Sequence, residues 1–402
     1  MRRTFVGLLS LTLAFAATAA PAADPAMTAR LDQAINQAIA SKRIVGTVVL
    51  VANEGEIIYH RAAGFADREA ARSMREDAIF RLASISKPIV SAAFMRLVED
   101  QTVDLDDPVT KWLPDFRPRM ANGDEPSITL RQLLTHMSGL SYRFLEPAGS
   151  PYHRLNVSDG MDQPGLGLDE NLHRLGQAPL AFHPGDGWRY SLGIDVLGAV
   201  IEKATGERLP DLVRARVTGP LEMRDTGFVV TDPSRLATPY ADGAPEPIRM
   251  TDGIFVALWN AGANFAPSRA LNLASYASGG AGMVGTAGDV LRFLETIRTG
   301  GGSILLPATV AAMMRDQVGP KAQTQGPGWG FGYGWAVLND PASAGTPQSA
   351  GTIQWGGAYG HSWFVDPARK LTVIALTNTA FEGMSGAFPI EIRDAVYGGK
   401  GE

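Results

Sequence analysis

Strand-forming runs stand at the two ends of this chain and are rare between them, and that distribution limits its fold more than any other feature. Near the start, residues 46–51 and 57–59 read as two strands about the turn Asn53-Glu54-Gly55. Near the end, residues 334–338, 352–355, 361–365 and 371–377 form four more apolar, β-prone runs. Helical spacing occupies residues 27–42 (Leu31, Ile35, Ala38, Ile39), 84–97, 129–136, 196–205, 287–299, 308–315 and 388–396. Residues 105–108 read as a turn. Residues 142–184 and 240–267, the second containing Trp259, are rich in turn formers and read as long loops of the lid-forming kind. A single antiparallel sheet built from both termini, with a mainly helical segment inserted, satisfies this order and predicts an α/β (α+β) fold. The expected division is a sheet domain over residues 24–110 and 285–402 and a helical domain over 111–284.

Such a sheet must be stabilised by its core alone, because the chain of 402 residues contains no cysteine. With 45% hydrophobic and 19% charged residues, it is long and apolar enough to do so. The missing cysteines also exclude thiol catalysis and thiolate metal sites. The net charge is −5 and no basic run occurs, which argues against nucleic acid as a partner.

Residues 1–22 read as a secretory signal. Arg2 and Arg3 precede an apolar stretch over residues 5–20, and Ala17-Thr18-Ala19 or Ala20-Pro21-Ala22 supplies a cleavage pattern. The stretch is shorter than the roughly 20 residues of a membrane span. Export to the periplasm or medium without a membrane anchor is therefore expected. The paired arginines also resemble a twin-arginine export motif.

The chemistry begins at Arg81-Leu-Ala-Ser-Ile-Ser-Lys-Pro88. Ser84 and Lys87 sit three apart at a helix start, so their side chains share a face. A buried lysine can lose its charge and take a serine proton, and a helix N-terminus favours negative charge on a bound carbonyl. The same residues also fit an N-cap serine beside a solvated lysine. Pro184-Gly-Asp-Gly-Trp-Arg-Tyr-Ser191 then brings Tyr190 to another helix start, where a phenol can hydrogen-bond the serine or simply pack the core. Gln354-Trp-Gly-Gly-Ala358 closes an expected strand, and its paired glycines allow a close backbone approach or an ordinary turn.

In this order the segments resemble the serine beta-lactamase and penicillin-binding-protein superfamily, of which Ser-x-x-Lys is a signature. Leu105-Asp-Asp-Pro108, Leu130-Arg-Gln-Leu-Leu-Thr-His-Met-Ser-Gly-Leu140 and Gly282-Met-Val-Gly-Thr-Ala-Gly-Asp289 extend the resemblance over nearly the whole mature chain. Two departures point to a subgroup. Tyr190-Ser-Leu192 has leucine where the superfamily usually has asparagine, and Trp355-Gly-Gly357 stands where a lysine or histidine strand is usual. Both departures resemble the family VIII carboxylesterases, which implies the beta-lactamase/transpeptidase fold and hydrolysis of short-chain, uncharged esters.

The resemblance implies Ser84 as nucleophile, Lys87 as base and Tyr190 as proton relay. It also implies that backbone N–H groups of Ser84 and Ala358 hold the oxyanion. Tyr142, Leu192, Asp195, Trp355, Gly356 and Gly357 would form the substrate pocket, with Asp195 equally suited to a capping or solvent-facing role. Which of Lys87 and Tyr190 accepts the first proton stays open. The six histidines form no metal-binding pattern, so neither metal nor cofactor is expected; His361 stands near the Trp-Gly-Gly segment as an outer support. A beta-lactamase or D-amino peptidase using the same serine, and a non-catalytic binding scaffold, are the competing readings. The expected partner is a small ester.

Overall fold

The computed structural model describes residues 24–258, 261–322 and 325–399. The expected leader over residues 1–22 and Trp259 lie outside the described residues.

Eight antiparallel strands form the main sheet. They are β1 (Gly46–Asn53), β2 (Glu56–Asp67), β3 (Arg72–Ser73), β4 (Trp329–Phe331), β5 (Ala336–Leu338), β6 (Ile353–Gly357), β7 (His361–Asp366) and β8 (Leu371–Thr377). Their order is β4-β5-β6-β7-β8-β1-β2-β3, so the two ends of the chain meet at the β8–β1 seam. There Val48 opposes Leu376 and Leu50 opposes Ile374. The period of two sends Val48, Leu50 and Ala52 into the main core, while Val49 and Val51 join a second core on the other face.

That second face is covered by α1 (Pro25–Ala40) and the C-terminal helix Ala387–Tyr397. Helix α1 buries Met27, Leu31, Ile35 and Ala38 against Phe388 and Ile392, and Asp24 caps it through Ala26 N and Met27 N. The first face is covered by α2 (Ser86–Glu99) and the helix Ala287–Arg298. Pro88 stands in the first turn of α2, where no intrahelical donor is lost. Thr129 and Gln132 form a capping box that opens α3 (Leu130–Leu134). Helix α4 (Gly193–Thr205) starts three residues after Tyr190 and packs on α2 and α3.

Three local expectations are corrected. Strand β2 runs to Asp67 rather than stopping at Tyr59, because main-chain pairing with β1 carries it through Arg61-Ala62-Ala63-Gly64, which has no apolar alternation. The stretch 240–267 is not a plain loop; Ile254–Leu258 and Ala261–Phe265 pair as a hairpin. Within 142–184, Leu168–Gln177 is a helix burying Leu172 and Leu175.

Candidate active site

Ser84 lies in a single 3-10 turn, Ala83–Ile85, that leads directly into α2. Its neighbour Ala83 is buried with φ of 45°, a left-handed conformation that costs a non-glycine residue about 1 kcal/mol or more. The sharp turn leaves Ser84 partly exposed while both chain neighbours are buried.

Strand β6 packs against this turn, which explains its glycines. A Cβ on Gly357 would lie 2.4 Å from the carbonyl oxygen of Leu82, and one on Gly356 would lie 2.7 Å from that of His361. The pair therefore permits strand–turn contact, and Ala358 joins Ala83 in one buried cluster. His361 reinforces the contact through its Nε2, 2.8 Å from the carbonyl of Arg81. Burial lowers its pKa to about 4, so the ring is neutral and donates to that carbonyl.

Three polar side chains converge at the turn. Lys87 Nζ lies 3.1 Å from Ser84 Oγ and donates to the Gly280 carbonyl at 2.8 Å. The Tyr190 hydroxyl donates to Ser84 Oγ at 2.8 Å. Lys87 is fully buried, and desolvation lowers its pKa to about 7, against the upward pull of Asp195 and Asp159. Burial raises Tyr190 well above its ordinary value, so it remains a neutral phenol. Lysine, not tyrosine, is thus the group whose proton affinity suits a base near neutrality.

Aromatic rings fix the phenol. Tyr190 packs against His136 at 4.8 Å, Tyr142 at 5.0 Å and Trp355 at 5.3 Å between ring centroids. Trp355 Nε1 also donates to the Tyr190 hydroxyl at 3.4 Å. Trp355 and Gly356 are partly exposed beside Ser84 and can form a cleft wall. Tyr142 is 2% exposed, lies against Lys87 and Tyr190, and stacks on partly exposed Phe144. It packs against Lys87 and Tyr190 and presents little surface to solvent. Leu192, the residue before α4, is fully buried in the main core. Both residues stand on the inner side of the segments that carry Ser141 and Tyr190.

Asp195, on the first turn of α4, is neither solvent-facing nor a cap but buried. Burial raises its pKa, with nearby Lys87 opposing the rise. A Cβ on Gly280 would stand 2.5 Å from Asp195 Oδ2, 2.9 Å from the Tyr142 hydroxyl and 3.4 Å from Lys87 Nζ. Gly280 therefore both holds Lys87 and leaves room for it, a role that motif reading missed although Gly279-Gly280 is visible as a pair. Gly280→Ala is expected to reduce kcat by about 100-fold, since misplacement by an ångström costs that much. Steady-state kinetics alongside circular dichroism would check that folding is retained. His136 was missed as well; its ring packs on Tyr190, and its Nδ1 lies 3.1 Å from Ser191 Oγ.

Comparison with known proteins agrees with this geometry. The Beta-lactamase family model matches residues 31–396. Esterase EstB of Burkholderia gladioli is 60% identical over 375 residues, covering 92% of this chain and 95% of that protein. The structure of EstCE1, a hydrolase with promiscuous acyltransferase activity, superposes with a TM-score of 0.90 at 52% identity, covering 92% of this chain and 98% of that one. Unliganded simvastatin synthase of Aspergillus terreus, in its selenomethionyl form, is 22% identical, covers 94% of this chain and 98% of its own, and shares the fold with a TM-score of 0.74. A Ser-x-x-Lys pair hydrogen-bonded to a tyrosine, on this sheet and among these relatives, has one consistent reading: the chain belongs to the beta-lactamase family and, within it, to the serine hydrolases known as family VIII carboxylesterases.

Proposed function

We propose that this enzyme hydrolyses short-chain, uncharged carboxylic esters through an acyl-enzyme on Ser84. The observation that carries the reading is Ser84 Oγ held between Lys87 Nζ at 3.1 Å and the Tyr190 hydroxyl at 2.8 Å. Neutral Lys87 takes the serine proton as Oγ attacks the ester carbonyl carbon. The backbone N–H groups of Ser84 and Ala358 receive the resulting oxyanion. The C–O bond to the alcohol breaks, Tyr190 protonates the leaving alkoxide, and the Lys87 ammonium restores the tyrosine proton. Water then attacks the acyl carbon by the reverse route and releases the acid.

The ester preference rests on Trp355, an apolar ring where a cation would hold the carboxylate of a penicillin or peptide. Comparing kcat/KM for p-nitrophenyl butyrate with that for a chromogenic cephalosporin tests it. Ester turnover should exceed lactam turnover by about 100-fold or more, the scale set by one unmet charged contact. Fast lactam hydrolysis with negligible ester hydrolysis would establish the competing reading. An inert scaffold would instead leave Ser84 unlabelled by a fluorophosphonate.

Since Lys87 must be neutral, kcat/KM should fall as pH drops through about 7, by tenfold per unit below it. A profile flat from pH 5 to pH 8 would remove Lys87 from the role of base. Among the described residues no helix is long and apolar enough to cross a membrane. The leader supports export to the periplasm or medium, which N-terminal sequencing of the mature protein would check.

A further inference from the structure

A cavity of about 770 Å³ is lined in part by Ala281, Gly282 and Met283, which follow the Gly280 that holds Lys87. Ser84 is not among the residues lining it. Its floor includes Met161, Tyr276, Ala281, Met283 and Tyr359, all buried. Its exposed lining residues include Leu273 at 79% exposure and Val229 at 48%. The volume falls within the range of sites that take small organic molecules.

Two arginines lining this cavity are unusual. Arg269 is buried, stacks on the Tyr276 ring, and donates only to the carbonyls of Asp162, Gln163 and Tyr276. Among the described residues, Arg81 donates only to the carbonyls of Pro267 and Ala237. Neither has a carboxylate within ion-pair distance among the described residues. Each guanidinium carries five N–H donors, so both keep donors to spare. Of the other charged groups lining the cavity, Arg208 and Arg214 pair with Asp211, and Glu202 accepts from Leu209 N. The lining thus holds four arginines and two carboxylates. A buried guanidinium with unfilled N–H donors and no carboxylate in contact is costly, and an anionic ligand would relieve that cost.

We propose that this cavity is a binding site for an aliphatic carboxylate, separate from the Ser84 cleft. The carboxylate sits between Arg81 and Arg269, and the alkyl chain lies along the methionines toward Leu273. Such a ligand would touch the two backbones that support catalysis, since Arg81 holds His361 and Ala281 follows the Gly280 that holds Lys87.

Titration calorimetry with hexanoate, using the full-length mature protein, tests the site. The expected result is saturable binding of one hexanoate per chain, at least about tenfold tighter than that of neutral hexanamide, as one charge-assisted contact provides. Arg269→Gln should weaken hexanoate binding by about tenfold or more on the same scale. Leu273→Glu, at an exposed position that folding does not depend on, should weaken it several-fold by repulsion and lost apolar contact. Equal binding of hexanamide, no saturable binding, or binding unchanged in Leu273→Glu and Arg269→Gln would overturn the proposal. Unchanged binding in both variants would assign the acid to the Ser84 cleft. Because these readouts need no ester turnover, they stand or fall independently of the esterase reading.

Discussion

Ser84→Ala is expected to lower kcat/KM for p-nitrophenyl butyrate by at least about 10⁴-fold, the scale found when a hydrolase loses its nucleophile. The reason is local. Lys87 and Tyr190 both direct polar atoms at Ser84 Oγ, and Ala83 holds a strained turn that presents it. With Oγ gone, neither group has an oxygen to activate, and what remains is substrate binding and the oxyanion donors. The fold should persist, because the Ser84 side chain is partly exposed and alanine fits the same turn. A thermal melt within a few degrees of wild type, measured beside the kinetics, distinguishes lost chemistry from lost structure.

Lys87→Met should cost nearly as much, about 10³-fold in kcat, within the range of general-base contributions. Methionine nearly reproduces the length of the lysine stem and replaces an amine in a fully buried site. Removing one partner of a buried pair is costly where it strands a charge on the other, so the variant folds only if that partner can become neutral. Asp195 can do so, since burial already raises its pKa. The variant should therefore fold, and its residual activity should lose the pH dependence centred near 7. A Lys87→Met enzyme that kept the wild-type pH profile would show that another group takes the proton.

The elements legible in the sequence are those whose signal is local. Strand β8, Leu371–Thr377, is an uninterrupted apolar and β-branched run buried on both faces, and its expected and observed bounds coincide. The helices of residues 287–299 and 388–396 were found to within a few residues from apolar spacing. Strand β4, Trp329–Phe331, was not, since it lies in a glycine-rich stretch and is ordered by pairing with β5. The hairpin over 254–265 was hidden because its outward residues include Phe255, exposed at 59%. At the site, Ser84, Lys87 and Tyr190 were readable because each lies in a short, ordered motif. Gly280 and His136 were not, because their roles arise from contacts far apart in sequence; Lys87 and Gly280 are 193 residues apart. Likewise, a motif names Tyr142 and Leu192 without saying which way they face.

The covalent intermediate is the centre of this account, and mass spectrometry reads it directly. Slowing deacylation with Tyr190→Phe and quenching a reaction with p-nitrophenyl butyrate in acid should trap one butyryl group per chain. Peptide mapping should place it on Ser84, with none bound in Ser84→Ala. A chain that turns over ester while Ser84 stays unmodified, or that carries the acyl group on another residue, would contradict the mechanism.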